Sequence, residues 1–306
     1  MSYRLKANES VPKGIKRIVN EQIEKAIDEL AATDELGVDE AVHKARQRLK
    51  KIRAVVRLVR DRLGKKVYQR ENARLRDLGG SLANLRDGRV RIATLDNLTA
   101  HFADTVEPDA FTGIRHELGV DYRREYQSIL DEGMMMSVRN QLKDIKDEVN
   151  NWKIGSNNWS AVDSSLKRVY QRGDRALDKA RSKPTVENLH DWRKRVKYLR
   201  YQLKILRPIW YEMTEEWIDR THDLSDYLGE DHDLAVLKEL VLSQPERFDR
   251  QNTLSTLTAL IDRRREELQF SAMFLGRRIY TEKPRNFVDR LGNYWQIWQS
   301  EIKHSA

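Results

Sequence analysis

The chain of 306 residues contains no cysteine, which removes disulfides, thiol nucleophiles and thiolate metal sites from consideration. Glycine and proline are scarce, at 14 and 6 residues, too few for a turn-rich sheet protein or a Pro/Gly-rich disordered chain. No apolar run approaches the roughly 20 residues that span a bilayer, and residues 1–14 lack the apolar stretch of a secretory signal. No segment alternates apolar with polar residues as a half-buried strand would. These absences leave a helix-rich, water-soluble chain, and its expected location is the cytoplasm.

What the sequence has in quantity is charge. Charged residues make up 34% of the chain, and the formal net charge is +9. That excess is local. Residues 43–62 hold nine Lys/Arg against one acid and residues 190–207 hold seven against one, so the remainder is net acidic. A charge serving only solubility would be spread over the chain; two concentrated runs point to a polyanionic partner.

Both runs carry one helical pattern. In residues 40–60 (EAVHKARQRLKKIRAVVRLVR), His43, Arg46, Lys50, Arg53, Arg57 and Arg60 recur at steps of three and four, which places them on one helix face. Ala45, Leu49, Ile52, Val56 and Val59 form an apolar stripe beside them. Residues 187–207 (ENLHDWRKRVKYLRYQLKILR) repeat the design with His190, Arg193, Lys197, Arg200, Lys204 and Arg207. Shifted by 147 positions, the two segments share seven identities in 21, and the cations coincide as well as the apolar rhythm. A second correspondence, Arg76-Asp77-Leu78 through Val90 with His222-Asp223-Leu224 through Val236, continues it. The pattern is that of an internal duplication.

Helix signals place elements near residues 11–32, 39–63, 66–85, 89–102, 109–118 and 121–152. After a Gly/Ser/Asn cluster at 153–158 they resume near 160–181, 187–207, 211–228, 232–242, 253–280 and 285–302. Asp39 is the expected N-cap of the first basic helix, and Asp87-Gly88 and residues 229–231 are expected breaks. The fold class is therefore all-α. Short connections favour antiparallel neighbours and two pseudo-symmetric four-helix bundles, residues 1–154 and 155–306, with the two cation rows brought toward each other.

Rows of arginine and lysine suit phosphate, because guanidinium grips two oxygens and ammonium acts as an adaptable point charge. The row from His43 to Arg60 spans about 26 Å at a rise of about 1.5 Å per residue, which matches an extended anion better than a single phosphoester. Acids at i±4 that would pair the row off are nearly absent. The histidines heading each row would add a phosphate donor or a pH-sensitive charge. Asp87 and Asp233 are expected to cap a helix or hold a nearby arginine. His190-Asp191 and His232-Asp233 suggest a metal-dependent phosphohydrolase, but their counterparts His43-Lys44 and Arg86-Asp87 lack the ligands, so no metal, cofactor or catalytic residue is assigned. A nucleic-acid-binding module is the other alternative; the rows carry no interleaved aromatics for base stacking.

A helix with His, Arg three on, Lys/Arg seven on and Arg ten on, recurring in the second half, resembles the CHAD family (conserved histidine α-helical domain). The Leu-x-x-x-Arg-Asp-x-x-Val stretch from Leu82 to Val90 fits it too, and the match covers about residues 8–303. The resemblance implies two pseudo-symmetric four-helix bundles, binding of inorganic polyphosphate through a basic surface, and association with polyphosphate granules. It implies a binding set of His43, Arg46, Lys50, Arg53, Arg57, His190, Arg193, Lys197, Arg200 and Lys204. Arg207 at the end of the second row and Arg74, on the helix near 66–85 that follows the first basic helix, complete the expected site. Lys50 and Lys197 stand where the family often has arginine, and His232 stands where the first half has Arg86. No alternating Glu-x-Glu-x-Lys strand of the triphosphate-hydrolysing domain found in some relatives is present, so a binding module without enzymatic activity is expected. Oligomeric state has no signal in the sequence.

Overall fold

Apolar residues at three- and four-residue spacing, with few Gly or Pro to interrupt them, build a wholly helical molecule. A computed structural model describes residues 3–82, 84–129, 132–248 and 253–305, and among them lie fourteen α-helices, two 3₁₀ turns and no strand. The first part of the chain forms α1 (Val11–Ala31), α2 (Thr33–Leu36), α3 (Val38–Leu58), α4 (Arg60–Leu63) and α5 (Lys65–Ser81). It continues through α6 (Asn84–His101), α7 (Thr112–Ile129) and α8 (Glu132–Val149). The later part forms α9 (Asp163–Ser182), α10 (Val186–Leu206), α11 (Tyr211–Ser243), α12 (Pro245–Phe248), α13 (Leu254–Ile279) and α14 (Pro284–Ser305). No helix among the described residues is long and apolar enough to cross a membrane.

The two basic helices are α3 and α10, 21 residues each. Thr185 caps α10, its side chain accepting from the Asn188 N–H at 3.3 Å, which satisfies one of the four orphan donors at a helix start. The entry to α3 differs from expectation. Gly37, at φ 75°, ends α2 and begins α3, a backbone conformation that glycine adopts without steric cost. Asp39 instead sits in the first turn, where its charge favours the helix dipole, and accepts a hydrogen bond from the Tyr122 hydroxyl. At its other end α3 stops at Leu58, and Arg60 begins the one-turn α4.

Two expected breaks are absent. Residues 87–88 lie inside α6, and the break comes earlier, after Ser81. Residues 229–231 lie inside the unbroken 33-residue α11. Gly229 is there for close packing: a Cβ on it would sit 3.1 Å from the guanidinium of Arg193. The expected roles of Arg86 and Asp87 fall on side chains outside the described residues.

Among the described residues, the buried apolar side chains form two clusters. The larger runs from Leu5 to Trp295 and draws on both sides of residue 154, with α1, α3, α5 and α8 contributing alongside α9, α10, α14 and the first half of α11. The smaller is built from α6 and α7 against the second half of α11 and α13. The basic helices touch directly within this framework. Gln202 of α10, fully buried, donates to the Ala54 carbonyl of α3 at 3.3 Å. The N-terminal arm ties the same pair: Tyr3 donates to the Lys51 carbonyl at 3.0 Å, and the Leu5 N–H donates to the Ile205 carbonyl at 3.0 Å.

Candidate functional site

Because α3 and α10 bury their apolar stripes in one core, their cation rows are left half-buried on neighbouring faces. Those faces converge on a cleft of about 610 Å³. Arg46, Lys50, Arg53 and Arg57 line it from α3; His190, Arg193 and Lys197 line it from α10. Seven of the twelve expected site residues therefore meet in one recess. Nine of its fifteen lining residues are Lys or Arg, against two acids, Asp191 and Asp233.

The walls hold several of these cations in place. The Arg46 guanidinium donates to the Gly79 carbonyl of α5 at 3.0 Å. Arg57 lies over the Tyr198 ring at 4.3 Å and donates to the Tyr68 hydroxyl at 2.8 Å. Arg193 rests against Gly229, with the Asp233 carboxylate 3.9 Å away. Arg53 makes no ion pair among the described residues, and its Nε is buried without a partner. Its pKa is pushed down by burial first, partly offset by Tyr198 and reinforced by Arg57. A cation so placed is poorly compensated by the protein itself, which favours an anion from outside.

His190 is in the cleft, stacked on His232 of α11 with ring centroids 4.1 Å apart and planes 32° apart. The Nδ1 atoms of both are buried without a partner. Burial, then His232, Lys194 and Arg193 push the His190 pKa down from 6.5 to about 4. His232 is lowered too, by burial and then Arg193. Among the described residues no group of three or more His, Cys, Asp or Glu is placed to hold a metal ion.

Five expected site residues lie outside this cleft. His43 lines a separate recess with Asp39, Glu40 and Arg89, and its Nε2 is 2.6 Å from the Gln47 amide nitrogen. Arg74 is engaged by Glu148 at 2.7 Å and Glu71 at 3.8 Å. Arg200 and Lys204 lie where α11 presents Asp219 to both, with Asp223 and Asp226 near Arg200 and Glu215 near Lys204. Arg207 pairs with Glu215 at 2.6 Å and lies over the Tyr211 ring. The last turns of α10 thus meet acids that the first half of α11 carries at helical spacing, a pairing that neither segment reveals alone.

The cleft also includes residues that row spacing did not select. Lys194 and Arg195 flank the α10 row, Arg76 comes from α5, and Tyr198, Tyr201, His232 and Asp233 complete the walls. The pairing of His232-Asp233 with His190-Asp191 is the signal in the sequence for His232, but the apparent break at 229–231 conceals that it lies on the inner face of one long helix.

The CHAD-domain family model matches residues 21–242. No curated protein matches the chain. Among solved structures, PptA from Streptomyces chartreusis is similar with a TM-score of 0.62 and 14% identity, over 90% of this chain and 100% of that one. The CHAD domain from the plant Ricinus communis is similar with a TM-score of 0.57 and 14% identity, over 91% and 94% of the two chains. At such identities the structures share the fold.

Proposed function

The chain belongs to the CHAD-domain family, and from that premise we propose that it binds inorganic polyphosphate in the cleft between α3 and α10 and performs no chemistry on it. The observation that carries this reading is the meeting of the two cation rows in one recess, nine Lys/Arg against two acids. From Arg46 to Arg57 the α3 row extends about 16 Å at a rise of about 1.5 Å per residue. A linear anion with a charge on every unit neutralises such a row along its length, whereas a single phosphate would engage one or two members. The tyrosines of the recess do not form a series for stacking successive bases: Tyr198 lies beneath Arg57, and Tyr201 packs edge-on to Tyr3. These features favour polyphosphate over nucleic acid, and granule association would be the cellular counterpart.

Titration with long-chain polyphosphate at 50 and 200 mM salt tests the reading. With six or more phosphate contacts, affinity is expected to fall by about 10³-fold or more between those concentrations, as counterion release predicts. Single-stranded or duplex nucleic acid at equal charge concentration is expected to leave the complex intact; displacement would overturn the ligand assignment. Time-dependent phosphate release in the presence of Mg²⁺ or Mn²⁺ would overturn the non-catalytic part.

The stacked histidines add a pH dependence of known sign. The folded-state pKa of His190 lies below its ordinary value of 6.5, at about 4, so the unfolded chain binds protons first and the free protein loses stability as pH falls through that window. A polyphosphate beside Arg193 and Lys194 adds a counter-charge that opposes the burial, and after it the neighbouring cations, that keep the ring neutral. Binding near pH 6 should therefore take up protons, and affinity should rise from pH 7 to pH 5. Calorimetric titrations in two buffers of different ionisation heat read the uptake directly, and His190→Gln should reduce it. Binding heats that do not depend on the buffer would contradict this role.

A further inference from the structure

The cleft does not end the run of cations. Where α3 stops, α4 carries Arg60 off the row and toward α9. There a second, smaller notch forms, which shares Arg57, Arg195 and Tyr198 with the cleft and adds Arg60, Arg168 and Arg172. The Arg57–Tyr198 stack thus stands between two cationic recesses. Arg60 lies over the Tyr68 ring at 4.7 Å, so an aromatic face rather than a carboxylate supports it. Of the other arginines, Arg168 is paired with Asp61 and Arg195 with Asp191, each at 3.2 Å. Arg172 makes no ion pair among the described residues. Although Arg172 is exposed, partial desolvation and then Arg195, Arg60 and Arg57 hold its pKa down. Five arginines line this one notch, and Arg57, Arg60, Arg172 and Arg195 among them repel one another unless an anion joins them.

We propose that Arg60, Arg172 and Arg195 form a second anion seat beyond the Arg57–Tyr198 stack, which takes the phosphate groups of a linear polyphosphate too long for the cleft. The seat rests on the binding function proposed above and gives it a preference for chain length. The notch itself is only about 20 Å³, room for about one water and not for a phosphate group, so the phosphates lie across its mouth on the guanidinium tips. An anion crossing from one recess to the other passes Arg57, whose Nε is buried without a partner.

The test compares oligophosphates of a few units with chains of several tens of units, on the wild type, Arg172→Gln, Arg172→Lys and Arg193→Gln. Arg172 is exposed, so its replacement leaves the core untouched. For long chains Arg172→Gln is expected to weaken binding about tenfold and to lower the salt slope by about one; for short chains it should change neither. Arg172→Lys should recover most of the loss, because a charge is restored. Arg193→Gln, within the cleft, should weaken both lengths. An equal loss at both lengths with Arg172→Gln, or none with long chains, overturns the second seat alone. A wild type that binds neither length overturns the seat together with the function from which it extends.

Discussion

Replacing Arg53 and Lys197 with glutamate in the same chain is expected to abolish measurable polyphosphate binding, with helix content unchanged. Each residue sits in the middle of its row, one on α3 and one on α10, and both line the cleft. The double reversal turns nine cations against two acids into seven against four. Each lost contact is a charge-assisted hydrogen bond of about 1.5–3 kcal/mol, and each introduced carboxylate repels the ligand besides. Two such losses alone amount to a factor of about 10² to 10⁴ in affinity. The fold should tolerate the change, because glutamate is as good a helix former as lysine or arginine. The new carboxylates also face Arg57 and Arg193, so they relieve like-charge crowding in the free protein. Circular dichroism and calorimetric titration decide the matter: intact helicity with affinity within threefold of wild type would move the site elsewhere. Lys204→Gln is the informative contrast, since Lys204 belongs to the same sequence row but lies beside Glu215 and Asp219; it should change affinity little.

That contrast marks how far the sequence alone reaches. The 3-4 spacing of the cations and the apolar stripe beside them are local properties of one helix, so α3 and α10 could be located within a few residues. Whether a cation faces the cleft or an acid depends on the neighbouring helix. Arg207 and Arg60 occupy equivalent positions in their rows, yet Arg207 pairs with Glu215 while Arg60 lies over the Tyr68 ring with no ion pair among the described residues. Gly229 misled for the complementary reason. In isolation a Gly followed by four polar residues reads as a turn, while in the fold it lets α11 pass directly beneath Arg193. His43 and His190 head matching motifs, but His190 meets a second imidazole, His232, and that ring comes from a helix whose continuity the glycine concealed. The cleft was legible in the parts that each row supplies by itself. Arg76, Lys194, Arg195 and Tyr198 were not, because they enter through packing between helices, and His232 was visible as a neighbour for His190 without its place in the cleft.

The largest expected effect on stability comes from the opposite side of α10. Trp192 lies one residue from Arg193, is completely buried and faces the core rather than the ligand. Truncating a buried tryptophan to alanine typically costs about 3–5 kcal/mol through lost burial and the cavity left behind. Against a total stability of about 5–15 kcal/mol for a folded domain, Trp192→Ala should shift the urea midpoint far downward. Trp192→Phe should cost less, since it keeps most of the ring and removes an indole N–H that is buried without a partner. Gly276 of α13 supplies a sharper check. A Cβ there would lie 2.4 Å from the Trp192 ring, so Gly276→Ala must be destabilising in the wild type despite alanine's advantage of about 1 kcal/mol over glycine within a helix. With Trp192 already truncated, the obstruction is gone and the same change should become neutral or stabilising. A double-mutant cycle by urea unfolding should therefore show a coupling of at least about 1 kcal/mol, with the sum of the single costs exceeding the double. Simple additivity would mean that α13 does not clamp the back of α10 through this ring, and the cleft-facing cations of that helix would need another support.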